Sequence, residues 1–164
     1  MAKTLFLLRH AKSSWKDASC PDHDRLLNKR GRRDAPRMAR WMLEAGHRPE
    51  WILCSTAERT VATAEALEIE FSQSIPLEFD RRLYLASAAS LIQTIAQQAP
   101  EVEKVLAIGH NPGLERLSEW LTGAPVRIPT ATLVSIELSL DAWSDFSSQT
   151  RGELQFAMRP KMLA

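Results

Sequence analysis

Two arginines and two histidines stand just beyond short apolar runs, where a side chain can leave a buried strand and face a ligand. Arg9-His10 follows Thr4-Leu-Phe-Leu-Leu8. Ser55, with Arg59 a turn further on, follows Trp51-Ile-Leu-Cys54, and Gly109-His110-Asn111 follows Val105-Leu-Ala-Ile108. Taken singly, each has an ordinary use: a histidine shapes a turn, an arginine pairs with a nearby acid. Their joint placement at strand ends is what those ordinary uses do not explain. If the segments meet, two guanidinium and two imidazole groups surround a small volume, and Glu58 is the only acid adjacent to them in sequence. Such a pocket suits a multi-oxygen anion, and phosphate best, because guanidinium forks pair bidentately with its oxygens. Helix N-termini expected at Ser55 and Asn111 add backbone N–H donors and a favourable dipole.

Other hydrolytic chemistries find less support. Metal-assisted hydrolysis needs clustered His and carboxylate ligands, and the compact candidate Asp22-His23-Asp24 reads better as a solvated loop. Neither a GxxxxGK[ST] loop nor a GxSxG elbow is present. Cys54 and Arg59 have the CxxxxR spacing of a cysteine phosphatase. The intervening residues lack the glycines that cradle phosphate, and Glu58 repels it. Cys54 reads as a reduced core residue, and no metal or other cofactor is expected.

The elements that must position these groups follow from periodicity. The apolar runs at 4–8, 51–54 and 105–108 read as strands buried on both faces, and 75–79 as a short strand ahead of a turn at Asp80–Arg82. Residues 11–27 read as a loop. Leu27 to Gly46 reads as a helix with Ala35, Met38, Ala39 and Met42 on one face; Pro36 implies a later start or a kink. Ser55-Thr-Ala-Glu58 has capping-box form, so a helix is expected from Ser55 to about Phe71. Ser87–Gln98 is helical, and a further helix to about Leu121 has Asn111 as N-cap and Pro112 at its first position. Thr132–Leu140 and Glu153–Met158 read as a hairpin with a long loop. Alternating strand, polar turn and helix favours an α/β sandwich with a mostly parallel sheet, whose ligands bind beyond the carboxyl ends of the strands.

The 164 residues suffice for one domain, 1–164, with a substantial core. A formal net charge of +1 argues against nucleic acid as partner. Lys29, Arg30, Arg32, Arg33, Arg37 and Arg40 cluster locally, either as a solvated helix face or as a rim attracting a phosphorylated or acidic partner. No secretion signal or membrane-length apolar stretch is evident, so a cytoplasmic protein with no membrane partner is the default expectation.

The string Arg9 to Trp15, RHAKSSW, resembles the signature of the histidine phosphatase superfamily, and within it the small SixA-like phosphohistidine phosphatases. Leu27–Gly31, Ser55–Ala64 (STAERTVATA) and Gly109–Pro112 resemble, in order, the segments that follow. The resemblance implies a three-layer αβα sandwich of the phosphoglycerate-mutase-like kind, a phosphohistidine intermediate on His10, and phosphate contacts from Arg9, Arg59 and His110 without a metal. Ala11 stands for the usual glycine. Lys16 stands where many members place an asparagine near the phosphate, and either donates to phosphate or points to solvent. Larger relatives carry a glutamate that protonates the leaving group; Glu78 and Asp80 are the weak candidates for it. A protein phosphohistidine needs that acid least, since protonated imidazole leaves more readily than an alkoxide. The implied partner is a phosphohistidine-bearing protein or a small phosphorylated substrate. The alternatives are a broad small-molecule phosphomonoesterase and a phospho-binding regulatory module without turnover. His10 is expected neutral, with Arg9 and Arg59 opposing its protonation and a backbone carbonyl fixing its second ring nitrogen.

Overall fold

In a computed structural model of the chain, which describes residues 2–72 and 74–163, the apolar runs lie side by side in a six-stranded sheet. The strands are β1 (Ala2–Arg9), β2 (Trp51–Cys54), β3 (Leu77–Phe79), β4 (Lys104–Gly109), β5 (Leu133–Ser139) and β6 (Gly152–Met158), in the order β3-β2-β4-β1-β5-β6. The pairings β3–β2, β2–β4 and β4–β1 are parallel. The late hairpin adds β5 and β6 antiparallel beside β1, so the sheet is mixed. Helices α1 (Lys29–Glu44), α2 (Glu58–Glu70), α3 (Ala88–Gln98) and α4 (Gly113–Thr122) cover its two faces, giving the αβα sandwich.

The continuous apolar runs are explained by where successive side chains go. Leu5 and Leu7 of β1 and Val105 and Ala107 of β4 pack with Leu91 and Ile95 of α3 and Leu114 and Leu117 of α4. Their neighbours Phe6, Leu8, Leu106 and Ile108 point the other way, against Met38 and Met42 of α1 and Leu67 of α2. A strand sandwiched between helices has no solvent face, so both sides of its two-residue period are apolar. Each such side chain withdrawn from water contributes about 1.5–3 kcal/mol.

Several boundaries differ from the sequence reading. α1 starts at Lys29, capped by Asn28, whose side chain accepts from Gly31 N, and runs through Pro36. Burial of Ala35, Met38, Ala39 and Met42 holds the helix across the missing proline N–H. α2 begins at Glu58 rather than Ser55, with Ala57 as an N-cap that offers no side-chain bond. α4 begins at Gly113, flanked by Pro112, and Asn111 does not cap it. In both cases the expected capping side chain has a tertiary partner instead.

Gly31 shows how the first turn of α1 is fitted to the end of β1. A Cβ there would lie 2.1 Å from the carbonyl oxygen of Lys12, so only glycine allows the approach. Asn28 N donates to that same oxygen at 2.9 Å. The start of α1 thereby fixes the chain just beyond His10. The basic cluster on α1 surrounds one buried carboxylate: Asp34 takes Arg33 at 3.1 Å, Arg37 at 3.2 Å and Arg30 at 3.5 Å. Arg40 pairs with Glu70, and Arg32 donates to the Leu27 carbonyl. These arginines are thus engaged with their own fold, as on a solvated helix face. Among the described residues no helix is long and apolar enough to cross a membrane.

Leu106 is fully buried in β4. Leu106→Ala is expected to lower the unfolding free energy by about 2–5 kcal/mol, read from denaturant titration. A loss below about 1 kcal/mol would contradict the packing described.

Candidate active site

Because β2, β4 and β1 are adjacent and parallel, their carboxyl ends open on one edge of the sheet. Register sets the spacing: Arg9 lies opposite Gly109, and Cys54 opposite Ile108. His10, His110 and Ser55 therefore follow one another along that edge. The imidazoles of His10 and His110 are 5.3 Å apart, centroid to centroid. Arg59, in the first turn of α2, reaches across to place Nη2 3.3 Å from His110 Nδ1. Since a guanidinium only donates, Nδ1 of His110 accepts, and its Nε2–H donates to Ser55 Oγ at 2.7 Å. That bond is the use to which Ser55 is put in place of capping α2.

His10 is held in a complementary way. Its Nδ1 lies 2.7 Å from the Ala11 carbonyl, which can only accept, so Nδ1 carries the proton and Nε2 keeps a free lone pair. The Ala11 N–H donates to Thr63 Oγ1, whose hydroxyl donates to the Arg59 carbonyl. One threonine thus ties the end of β1 to the first turn of α2. Arg9 donates from Nη1 to the Ile128 carbonyl at 3.3 Å, and its buried Nε has no partner among the described residues. Asn111 Nδ2 donates to that same carbonyl and to Glu115 Oε2, which also accepts from Ile128 N.

Both imidazoles are pushed toward neutrality. Burial is the main cause for His10 and lowers it to about 4, with the Arg59 and Arg9 charges adding to the effect against the Ala11 carbonyl. Burial, then His10 and Arg59, lowers His110 to about 3. Arg9 is lowered as well, chiefly by burial, while Glu115 pulls it back. Cys54, by contrast, is a buried free thiol pushed strongly up by burial and bonded to the Ser55 and Thr60 carbonyls, which removes it as a nucleophile.

The structure brings Arg9, His10, Arg59 and His110 together and leaves the weaker candidates outside. Lys16 is exposed in the β1–α1 loop, and no contact ties its side chain to the four. Glu78 is exposed on edge strand β3, and Asp80 is paired with Arg82 at 2.8 Å. Two residues not picked out by sequence join the site. Asp22 is no solvated loop residue: its carboxylate accepts from Arg59 Nη2 at 2.9 Å and from the Tyr84 hydroxyl. Tyr84 stands edge-on to His110 at 5.4 Å. Periodicity is mute in such loops; the one available signal was that Tyr84 is the sole tyrosine of the chain.

An αβα sandwich with two arginines and two histidines at the carboxyl edge of its parallel strands defines an oxyanion-binding enzyme of the phosphatase class. Residues 5–84 match the sequence profile of the histidine phosphatase superfamily (branch 1), a stretch that holds Arg9, His10 and Arg59 but ends before His110. A proposed phosphohistidine phosphatase SixA from Agrobacterium tumefaciens superposes with a TM-score of 0.81 at 30% identity, covering 96% of this chain and 98% of that one. A second proposed SixA, from Nakamurella multipartitia, gives 0.81 at 27% identity, covering 98% and 97%. An uncharacterized chloroplastic protein of Arabidopsis thaliana is 30% identical over 154 residues, 88% of this chain and 71% of the relative. The chain belongs to the histidine phosphatase superfamily and is a phosphatase of that kind.

Acidification should reveal the buried imidazoles directly. In a nitrogen-15 NMR titration His10 is expected to stay neutral to about pH 4; a midpoint near 6.5 would refute its environment as described. The unfolded chain takes up a proton at this residue near 6.5 and the folded chain only near 4, so stability falls as the pH is lowered through that window.

Proposed function

We propose that the chain is a phosphohistidine phosphatase, removing phosphate from a protein phosphohistidine through a covalent intermediate on His10 and without a metal. One observation carries the reading: the Nδ1–H of His10 is committed to the Ala11 carbonyl, so an unprotonated Nε2 remains free beside Arg9 and Arg59. That is a nitrogen nucleophile set next to fixed positive charge.

Nε2 attacks phosphorus in line; the N–P bond to His10 forms as the P–N bond to the substrate imidazole breaks. The electron pair returns to the substrate nitrogen, which takes a proton. Arg9 and Arg59 stabilise the equatorial oxygens, for which the unpartnered Nε of Arg9 is a ready donor. A phosphate dianion between the imidazoles raises the proton affinity of His110, which then donates as well. Water next attacks the phosphoenzyme, restoring His10 and releasing phosphate. Glu78 and Asp80 are engaged elsewhere or exposed. Asp22 is kept ionised by Tyr84 and Arg59, so no side chain here is poised to protonate an alkoxide. This favours a P–N bond over an alkyl phosphate, and the likeness to two proposed SixA proteins points the same way.

The test is a trapped phosphoenzyme. With a phosphohistidine-bearing protein as donor and an alkaline quench, acid-labile phosphate should appear on His10; His10→Ala should form none and lose turnover while folding normally. Binding without adduct or turnover in the wild type would leave a phospho-binding module instead. Equal turnover of alkyl phosphates would make it a broad phosphomonoesterase. Arg59→Ala is expected to lower kcat by about 10²–10³ in a steady-state assay.

A further inference from the structure

The guanidinium fork of Arg59 is already occupied. Nη1 donates to the Asp22 carbonyl at 2.7 Å and Nη2 to Asp22 Oδ2 at 2.9 Å. Two oxygens of one residue thus take the two-point position that a phosphate takes on an arginine fork. The carboxylate is further held by the Tyr84 hydroxyl. Its neighbour His23 is bonded to Thr56 Oγ1 at 2.9 Å and packs on the Tyr84 ring at 4.8 Å. The two partners are not equally free to move. The Asp22 side chain is 40% exposed and that of Arg59 only 6%. A carboxylate swinging out reaches water at small cost, whereas the buried arginine has nowhere to go.

We propose that Asp22 is a displaceable occupant of the phosphate position on Arg59, which weakens the hold of the site on free phosphate and speeds product departure. The inference rests on the reading of Arg59 as a phosphate ligand. When phosphate arrives, the carboxylate must yield Nη2 and tolerate a second anion nearby. When phosphate leaves, Asp22 returns and keeps the buried guanidinium satisfied. A site with two arginines and a helix N-terminus would otherwise hold its dianionic product tightly. Asp22 is thus a determinant of affinity and touches neither the nucleophile nor the leaving group.

The experiment is calorimetric titration of inorganic phosphate at pH 7 into wild type, Asp22→Asn, Asp22→Ser and Arg59→Ala. Removing the charge while keeping a polar side chain should tighten phosphate binding by about tenfold, with a matching fall in the phosphate inhibition constant of turnover. A damaged fold cannot produce that gain, and Asp22→Ser guards against an effect peculiar to asparagine. If both Asp22 variants bind phosphate as wild type does or more weakly, while Arg59→Ala loses binding, the competition proposal is overturned and the phosphate site stands. If Arg59→Ala binds phosphate like wild type, the reading of Arg59 falls, and the proposal with it.

Discussion

Two guanidinium groups and two imidazoles share one partly dry edge of a sheet, and the repulsion among them governs how the surrounding structure is built. Charges so close in a low-dielectric setting cannot all be present at once. The imidazoles give way: burial and the arginines together keep His10 and His110 neutral. Neutrality is what leaves a lone pair on His10. The same electrostatic crowding that draws an oxyanion into the pocket therefore also prepares the group that would attack it.

Two carboxylates hold the arginines in place at different distances. Glu115 lies behind Arg9 and acts through the Ile128 backbone, to which both Asn111 and Arg9 are bonded. It offsets the charge of Arg9 without taking its donors. Asp22 instead sits directly on the Arg59 fork. One acid is structural support and the other stands where substrate oxygens belong. The bonds of Thr63 to Ala11 and Arg59, and the close approach of Gly31 to Lys12, lock the supporting segments together. Precision at the pocket thus comes from contacts made one layer away from it.

The basic helix face illustrates the opposite use of charge. Its arginines converge on the buried Asp34, so their field is largely spent inside the fold. Charge concentrated in sequence is here neutralised in space, while charges far apart in sequence, on Arg9 and Arg59, are the ones left facing a ligand.

Much of this was legible in the chain itself. Continuous apolar runs marked the strands because burial on both faces leaves no polar side to show, and the abrupt polar residues after them marked the ligand edge. Arg9, His10, Arg59 and His110 could be named for that reason. Helix starts were read less well: Ser55 and Asn111 have the chemistry of caps, but the structure gives them to His110 and to Glu115 with the Ile128 carbonyl. A short polar side chain can satisfy a local N–H or a distant partner, and local sequence does not say which. Asp22 and Tyr84 were invisible for a related reason. They lie outside the regular elements, where no periodicity reports orientation, and their place on Arg59 and beside His110 exists only once the sheet has drawn the chain's distant segments together.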